Sequence, residues 1–506
     1  MLLRSGIIVA FFTLLSRFFG LARELFIAAT FGTTQIADCV NVAFKLPNLF
    51  RRIFGEGALS AVFIPMYSEK LVASKEDAKI FSGEIFILLL LTLVGFTIIL
   101  QIFMPFLMVI IAPGFISSGE KYDLAVTLCR LTIPYVIFVS VTALFGGMLN
   151  SVRQFAAFAF VPILMNICVI AVPYLLRDTI EAHFSISFAL LIAGALQVLF
   201  IYFCLVKAGL KFPILFKPKD PEVKKLLKKM GPATMSSGAQ QLNLFISQSI
   251  ASFLPGAVSI LSYADRLYQL PLSLIGVTFG IILLTELSKI YKKKNYDEAN
   301  FLQNKAIKIA FAISIPSMIG LLILAQPIIH LIYERGEFTS NDTLLTANAL
   351  AAFSFGLPAF VLAKILTPIF YANLDTKTPF RITIYSLIIN TSLNIALMIP
   401  FGYIGIAIGS SIAAWINVWL LNKHAKQYGG FSITKETQIF ALKILVCGLV
   451  MAAFILASTN YFGELFYSDV FIIKAASLLS TIAFAIIIFI VCAYFFQIHK
   501  TLLSKN

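Results

Sequence analysis

Charge is what this sequence has least of. Of its 506 residues only 12% are Asp, Glu, Lys or Arg, about half the roughly 25% of an ordinary soluble domain. A chain so poor in charge cannot present a solvated surface to water, which excludes a soluble enzyme or a soluble binding module. Cysteine and histidine are scarce as well, at six and four residues. Cys39, Cys129, Cys168, Cys204, Cys447 and Cys492 lie scattered without a CxxC spacing, and the histidines form no HExxH pattern. A disulfide framework and a metal site of known spacing are thereby excluded, and no cofactor is expected. No P-loop and no DxD pair occurs either, and no loop is long enough to house a catalytic site. Neither ATP hydrolysis nor covalent chemistry is expected of this chain, which reads as a non-enzyme.

What is abundant is hydrocarbon. Hydrophobic residues make up 59% of the chain and the mean hydropathy is +0.93. Apolar runs of about 18 residues or more recur along the whole length, each long enough to cross a ~30 Å hydrocarbon core as a helix. They are continuous rather than alternating, so membrane helices are predicted and a β-barrel is not. The opening MLLRSGIIVAFFTLL has the basic start and apolar core of a signal peptide. Arg17 and Arg23 interrupt the apolar run just beyond it, however, and no small-x-small cleavage site appears, so it reads as a retained first helix. Fourteen spans are predicted. In order they run 6–31, 34–66, 80–111, 123–150, 155–176, 184–207, 232–254, 258–288, 303–333, 343–372, 380–400, 403–422, 436–458 and 470–497.

The net charge of +15 invites a nucleic-acid reading, but its distribution argues for topology. One alternate set of loops carries Lys70, Lys75 and Lys79, then Arg153, then the lysines from Lys207 to Lys229. It continues with Lys289 to Lys294, Lys377 and Arg381, Lys423 to Lys435, and Lys500 and Lys505. The opposite set holds only Lys121, Arg177 and Arg335 among its many carboxylates. This is the positive-inside bias, and it puts both termini in the cytoplasm. No nucleic-acid partner is expected; the partner in contact everywhere is the lipid bilayer.

Sliding the chain against itself by about 224 residues brings punctuating residues together. Gly32 meets Gly256, KLP at 45–47 meets QLP at 269–271, Pro134 meets Pro358 and Asn166 meets Asn390. With a slip of one or two, Pro105, Gly114 and the LN at 149–150 find Pro327, Gly336 and the AN at 372–373. A repeat of six spans keeps its orientation, so the copies are related by an axis along the membrane normal. The expectation is an all-α polytopic membrane protein of fourteen transmembrane helices. Two six-helix lobes, related by a parallel pseudo-twofold repeat, surround a central cavity, with two extra C-terminal helices. The lobes are 1–208 and 232–426, joined by a basic cytoplasmic linker at 209–231, with the extra helices in 427–506. The VKKLLKKM portion of the linker suits the anionic inner leaflet. Two lobes around a cavity is the architecture of alternating access, and so of a transporter.

A charged side chain at the bilayer centre costs roughly 2.5–3.5 kcal/mol on insertion scales, so such residues usually face a cavity. In FKLPNLFRRIFGEGALSAVFIP, residues 44–65, Lys45, Arg51, Arg52 and Glu56 interrupt an otherwise hydrophobic run. At about 100° per residue, Asp38, Asn41, Lys45, Asn48, Arg52 and Glu56 fall within about 80° of one another. In the first span Arg17, Gly20, Arg23 and Glu24 share an arc of about 120°. A lone arginine near a helix end would more simply snorkel to the interface. Two aligned stripes on consecutive helices point instead to a lined cavity. The seventh span shows only uncharged polar residues, Ser236, Gln240, Asn243 and Ser247, while the eighth carries Asp265, Arg266 and Gln269 on one face. For Asp265 and Arg266 a helix-end pair at the outer surface is the plainer alternative. Arginine forks match phosphate oxygens with bidentate, charge-assisted bonds. The cations therefore point to an anionic, phosphorylated substrate held chiefly by the first lobe.

SRFFGLARE (16–24), FGTTQIAD (31–38), the 44–65 segment and YADRLYQLPLSLIGVTFG (263–280) resemble the MurJ (MviN) family, the lipid II flippases of the multidrug/oligosaccharidyl-lipid/polysaccharide exporter superfamily. The likeness covers the whole chain, the two helices beyond the twelve-helix core included. It implies transport of lipid II, the undecaprenyl-pyrophosphate-linked disaccharide-pentapeptide, from the inner to the outer leaflet of the bacterial inner membrane for peptidoglycan synthesis. Cell-wall synthesis proteins are candidate further partners. It also implies that Arg17, Arg23, Arg51, Arg52 and Arg266 bind substrate, that Glu24, Asp38, Asn48, Glu56, Asp265 and Gln269 serve cavity or gate, and that the last two helices form a groove for the lipid tail. One departure is Arg23-Glu24, where the family usually has Arg-Asp; charge is kept and reach lengthened. The sodium site of some relatives is not carried over, because spans 7, 11 and 12 contain no Asp or Glu.

The nearest alternative is another exporter of the superfamily, an O-antigen or polysaccharide lipid flippase, which also carries a pyrophosphate lipid. The second-span motif and the two additional helices argue against it. A cation exporter would need an acidic cavity. A membrane enzyme acting on a polyprenyl-phosphate lipid would need the loop-borne site that is missing, and a structural scaffold leaves the aligned charges unexplained.

Overall fold

Away from water, every backbone N–H and C=O must be satisfied within the chain. In the computed structural model every regular element among the described residues is accordingly helical. The structure describes residues 2–52, 60–211 and 245–498, together with 213, 221, 224, 226 and 228. Glu56, most of the basic linker and most of the seventh predicted span, including Ser236, Gln240 and Asn243, lie outside the described residues.

The chain divides into two compact units, Met1–Val258 and Ser259–Asn506. The first contains α1 (Leu2–Phe31), α2 (Gln35–Phe50), α3 (Ser60–Ala73), α4 (Lys75–Ile111), α5 (Gly119–Thr132), α6 (Tyr135–Ser151), α7 (Phe155–Leu175) and α8 (Ala182–Lys207). At the boundary begins α9 (Ala257–Lys292). The second unit continues with α10 (Tyr296–Ile323), α11 (Ala325–Tyr333), α12 (Ser340–Ser354), α13 (Leu357–Ala372), α14 (Lys377–Ala425), α15 (Lys435–Phe466) and α16 (Phe471–Phe495).

Among the described residues eight helices are long and apolar enough to cross a membrane, or nine if the bent pair α12–α13 is one span. Several predicted spans are broken rods. The fourth breaks at Ile133–Pro134 between α5 and α6, and the tenth bends by 40° between α12 and α13, just before Pro358. Proline removes a donor and clashes with the preceding turn, which is why the breaks fall there. The 49-residue α14 is itself two helices, because Gly402 (φ 57°, ψ −138°) leaves helical geometry. The halves double back on each other: a methyl at Gly405 would stand 2.0 Å from Leu397 O, and one at Gly409 2.4 Å from Asn394 Oδ1. The predicted gap between spans 380–400 and 403–422 coincides with this reversal.

The internal repeat is written into the backbone turns. Gly32 (φ 57°) ends α1, and Gly256 (φ 73°) stands before α9. Arg153 (φ 63°) and Leu374 (φ 59°) occupy the same left-handed position in turns built alike: Gln154 N donates to Leu149 O and Asp375 N to Phe370 O, both at 2.9 Å. Gly209 (φ 75°) after α8 is answered by Gly430 (φ 71°) after α14.

Helices in lipid gain little from hydrophobic association, so packing and polar contacts hold them together. In the first unit Phe63 stacks on Tyr67 and Phe81, joining α3 to α4, and Phe145 of α6 completes that core. In the second, Ile315 and Ile319 of α10 meet Phe440, Ile444 and Met451 of α15 and Phe489 of α16. Lys308 Nζ lies 2.6 Å from Glu436 Oε1, and Asn304 Oδ1 accepts from Thr434 N (3.0 Å) and Thr437 Oγ1 (2.8 Å). The first of the two C-terminal helices, α15, is thereby pinned to α10, and α16 packs on α15.

Gly405→Ala tests the reversal. Its new methyl meets backbone rather than a flexible side-chain end, so relief requires the helices of α14 to part. A loss of roughly 1–3 kcal/mol is expected for such overpacking, read as a lowered thermal midpoint in detergent. Alanine at Gly463, where nothing lies within 4 Å of the added methyl, is the matched control and should change nothing.

Candidate functional site

The turn between α1 and α2 orders the site. Gly32 N donates to Ala28 O at 2.8 Å as α1 closes, and the Thr34 side chain accepts from Ala37 N to open α2. Both are standard terminal devices, a left-handed glycine and a hydroxyl cap. The polar stripes of the two helices therefore run away from a common end. Beyond it α1 packs chiefly on α7 and α2 on α5, so neither polar face is used up by packing against the other.

At the turn end, Asp38 is fully buried. Its Oδ2 lies 2.8 Å from Lys121 Nζ and accepts from Gly256 N at 2.9 Å. Lys121 Nζ stands 4.1 Å from the centre of the Phe115 ring, an additional cation–π contact. Asp38 thus joins α2 to the start of α5 and to the loop before α9. The Ser249 and Ser252 side chains bind the same region, Ser249 Oγ donating to Ile111 O and Ser252 Oγ accepting from Gly114 N, each at 2.9 Å. Sequence reasoning placed Lys121 in an outer loop and missed it as a partner; its one signal was being a rare cation among carboxylates.

Arg23 lies deeper, about 12 Å of helix from the end of α1. It is buried, its Nη2 2.8 Å from Glu24 Oε1 and its guanidinium carbon 6.0 Å from the centre of the Phe44 ring. Its Nε is buried without a hydrogen-bond partner. Arg17 is exposed on the same helix. Beside it Asn166 of α7 donates to Ser16 O at 3.3 Å, with its own Oδ1 buried and unpartnered. The repeat had marked Asn166 only as punctuation.

Residues 51–52 leave the α-helical register for a wider π-helical turn after Pro47, a distortion common at functional sites. The half-buried Arg51 donates from Nε to Asn48 Oδ1 (3.2 Å), and Asn48 Nδ2 donates to Phe44 O (2.9 Å). Asn48 therefore braces an arginine. Arg52 is exposed beyond it. In the second unit, Arg266 and Gln269 are exposed on α9, while Asp265 is half-buried and accepts from Gln269 Nε2. Tyr268, between them, turns inward to stack on Phe353 and Phe360.

The structure therefore separates the predicted residues of the first unit into two groups. Asp38 belongs to a buried ion pair at one end. Arg17, Arg23, Arg51 and Arg52 lie further along the two helices, as guanidinium forks suited to an oxygen-rich anion.

The family model described as lipid II flippase MurJ matches residues 27–477. A probable lipid II flippase MurJ of Rickettsia prowazekii (strain Madrid E) is 55% identical over 497 residues, 98% of each chain. One from Rhizobium tropici is 42% identical over 82% of this chain and 79% of its own. Among solved structures, a lipid II flippase MurJ in an inward closed conformation superposes with a TM-score of 0.81 at 30% identity, covering 97% of this chain and 99% of that one. An inward-facing multidrug resistance MATE transporter of the MOP superfamily shares the fold, with a TM-score of 0.69 at 17% identity over 86% and 98% of the two chains.

Proposed function

The chain belongs to the MurJ family of lipid II flippases, and from that membership we propose that it carries lipid II from the inner to the outer leaflet of the cytoplasmic membrane by alternating access. The pyrophosphate is the part of this substrate least able to cross hydrocarbon, since a bare charge at the bilayer centre is costly. Arg17, Arg23, Arg51 and Arg52 would replace its water with guanidinium hydrogen bonds. Arg266 is proposed as a further cation for the same headgroup on the strength of the family motif alone. The lipid leaves chemically unchanged, so the protein acts as a transporter and not as an enzyme.

The observation that supports this reading most directly is Arg23. A buried N–H without a partner costs about 1–3 kcal/mol, and its Nε is such a group. An arriving phosphate oxygen would remove that cost, which favours an anion beside Arg23. The test is purified protein in vesicles with labelled lipid II: the label should change leaflet at unchanged mass. A change of mass would identify an enzyme, and no leaflet change would refute the proposal.

The proposed orientation has both termini in the cytoplasm. Cysteines introduced at Lys75 and Lys219 should then resist an impermeant thiol reagent in intact cells, whereas those at Ser118 and Ser340 should react. Labelling at position 219 in sealed cells would reverse the topology.

A further inference from the structure

Away from these arginines, the first unit carries a groove that the transport reading does not use. It encloses about 520 Å³ between the start of α1, the start of α7 and the end of α8. Phe12, Phe160 and Phe200 form its floor, with ring centres 5.7 Å apart for the first pair and 5.2 Å for the second. At its mouth sit Arg153 and Gln154, both exposed, and none of its lining residues is acidic. Arg153 forms no ion pair among the described residues.

Arg153 also occupies an unfavourable backbone position. At φ 63° it lies in the left-handed region, where a side chain with a Cβ is strained and glycine or asparagine is favoured. The equivalent turn of the second unit holds Leu374 in that conformation. The turn itself therefore does not require a cation; the first unit alone places one there, above an aromatic groove.

We propose that this groove binds an anionic glycerophospholipid of the inner leaflet. The phosphate meets the Arg153 guanidinium and the Gln154 amide, and an acyl chain lies along Phe12, Phe160 and Phe200. This rests on the orientation proposed above, which puts Arg153 at the cytoplasmic headgroup level. From Phe155 to Phe160, α7 descends about 8 Å, so the polar mouth and aromatic floor follow the bilayer's own change from headgroup to acyl chain. Charge complementarity selects the anionic lipid: a zwitterionic one would bring its own cation to a mouth that offers no carboxylate. The transported lipid fits less well, because its sugars and peptide would find no further polar lining here.

The experiment uses the full chain with Trp415 and Trp419 replaced by phenylalanine and Phe160→Trp as the single reporter, in vesicles of phosphatidylcholine. Phosphatidylglycerol with brominated acyl chains should quench the reporter at a mole fraction roughly fivefold lower than brominated phosphatidylcholine, the factor expected for about 1 kcal/mol from one basic residue at an anionic surface. Arg153→Leu, which installs the second unit's own residue, should abolish that difference while leaving the thermal midpoint unchanged; Arg153→Lys should retain most of it. If Phe160→Trp does not fold, Phe200→Trp reads the same groove. Equal quenching by both lipids, or a preference that survives Arg153→Leu, would mean ordinary annular lipid and overturn the proposal. Displacement of the brominated phosphatidylglycerol by equimolar lipid II would assign the groove to the transported lipid and overturn it as well. The lipid is the same in both leaflets, so a reversed topology would show in the thiol labelling and not here.

Discussion

Arg52→Lys is expected to lower lipid transport by roughly tenfold to a hundredfold while the protein remains in the membrane at normal abundance. Lysine keeps the charge but loses the planar fork, and with it the bidentate geometry that matches phosphate oxygens. A charge-assisted hydrogen bond of this kind is worth about 1.5–3 kcal/mol, at about 1.4 kcal/mol for each factor of ten. Arg52 is exposed in the π-helical turn, so its replacement removes little packing and the fold should not suffer. Were it a snorkelling residue, lysine would substitute freely. Arg23 separates the same two roles by a different route. Arg23→Ala takes the guanidinium from the buried Glu24 and should reduce abundance as well as transport, since breaking a buried pair costs roughly 3–5 kcal/mol. Neutralising both residues should restore abundance but not transport, if Arg23 also serves the substrate. Growth complementation scored beside membrane abundance measures both. Full complementation by Arg52→Ala at normal abundance would remove Arg52 from the site.

A polar stripe is a local property, legible only as far as the helix stays regular: Asp38, Asn41, Lys45 and Asn48 lie within α2, whereas Arg52 stands in the π-helical turn and Glu56 lies outside the described residues. The reversal at Gly402 was legible for a related reason. Proline at 400 and glycine at 402 interrupt an apolar run that would otherwise be long enough for two spans, and nothing else fits such a run into a membrane. The partner of Asp38 was not legible. Lys121 lies 83 residues away, and periodicity can assign Asp38 to a polar face without saying what meets it there. Nor could spacing alone tell a carboxylate that lines a cavity from one that closes an ion pair. The π-helical turn at 51–52 was hidden too, because Arg51 and Arg52 are good helix formers. Arg153 was read only as a cytoplasmic charge; its left-handed backbone carries no glycine to announce it.

Lys121→Met should be strongly destabilising. It leaves the Asp38 carboxylate, which has no solvent exposure, without its cation at 2.8 Å. Gly256 N still donates to the same oxygen, but an amide dipole does not replace a full charge. The expected cost is roughly 3–5 kcal/mol, read as a fall in the thermal midpoint and a several-fold loss of membrane protein. Asp38→Asn should be milder, because the amide oxygen still accepts from both Lys121 and Gly256, although Lys121 then faces a neutral partner. The decisive variant is the double replacement, Asp38→Leu with Lys121→Met. It removes both charges and fills their space with hydrocarbon, an exchange that is often neutral or stabilising. Recovery of abundance in the double variant identifies a staple that holds α2, α5 and the loop before α9 together. Transport then gives the rest of the answer. A double variant that folds and transports limits Asp38 to structure; one that folds and fails gives the pair a part in the transport cycle, as the gate role expected of Asp38 requires. Normal abundance of Lys121→Met alone would mean that the pair contributes little, and that the buried carboxylate is held by its other contacts.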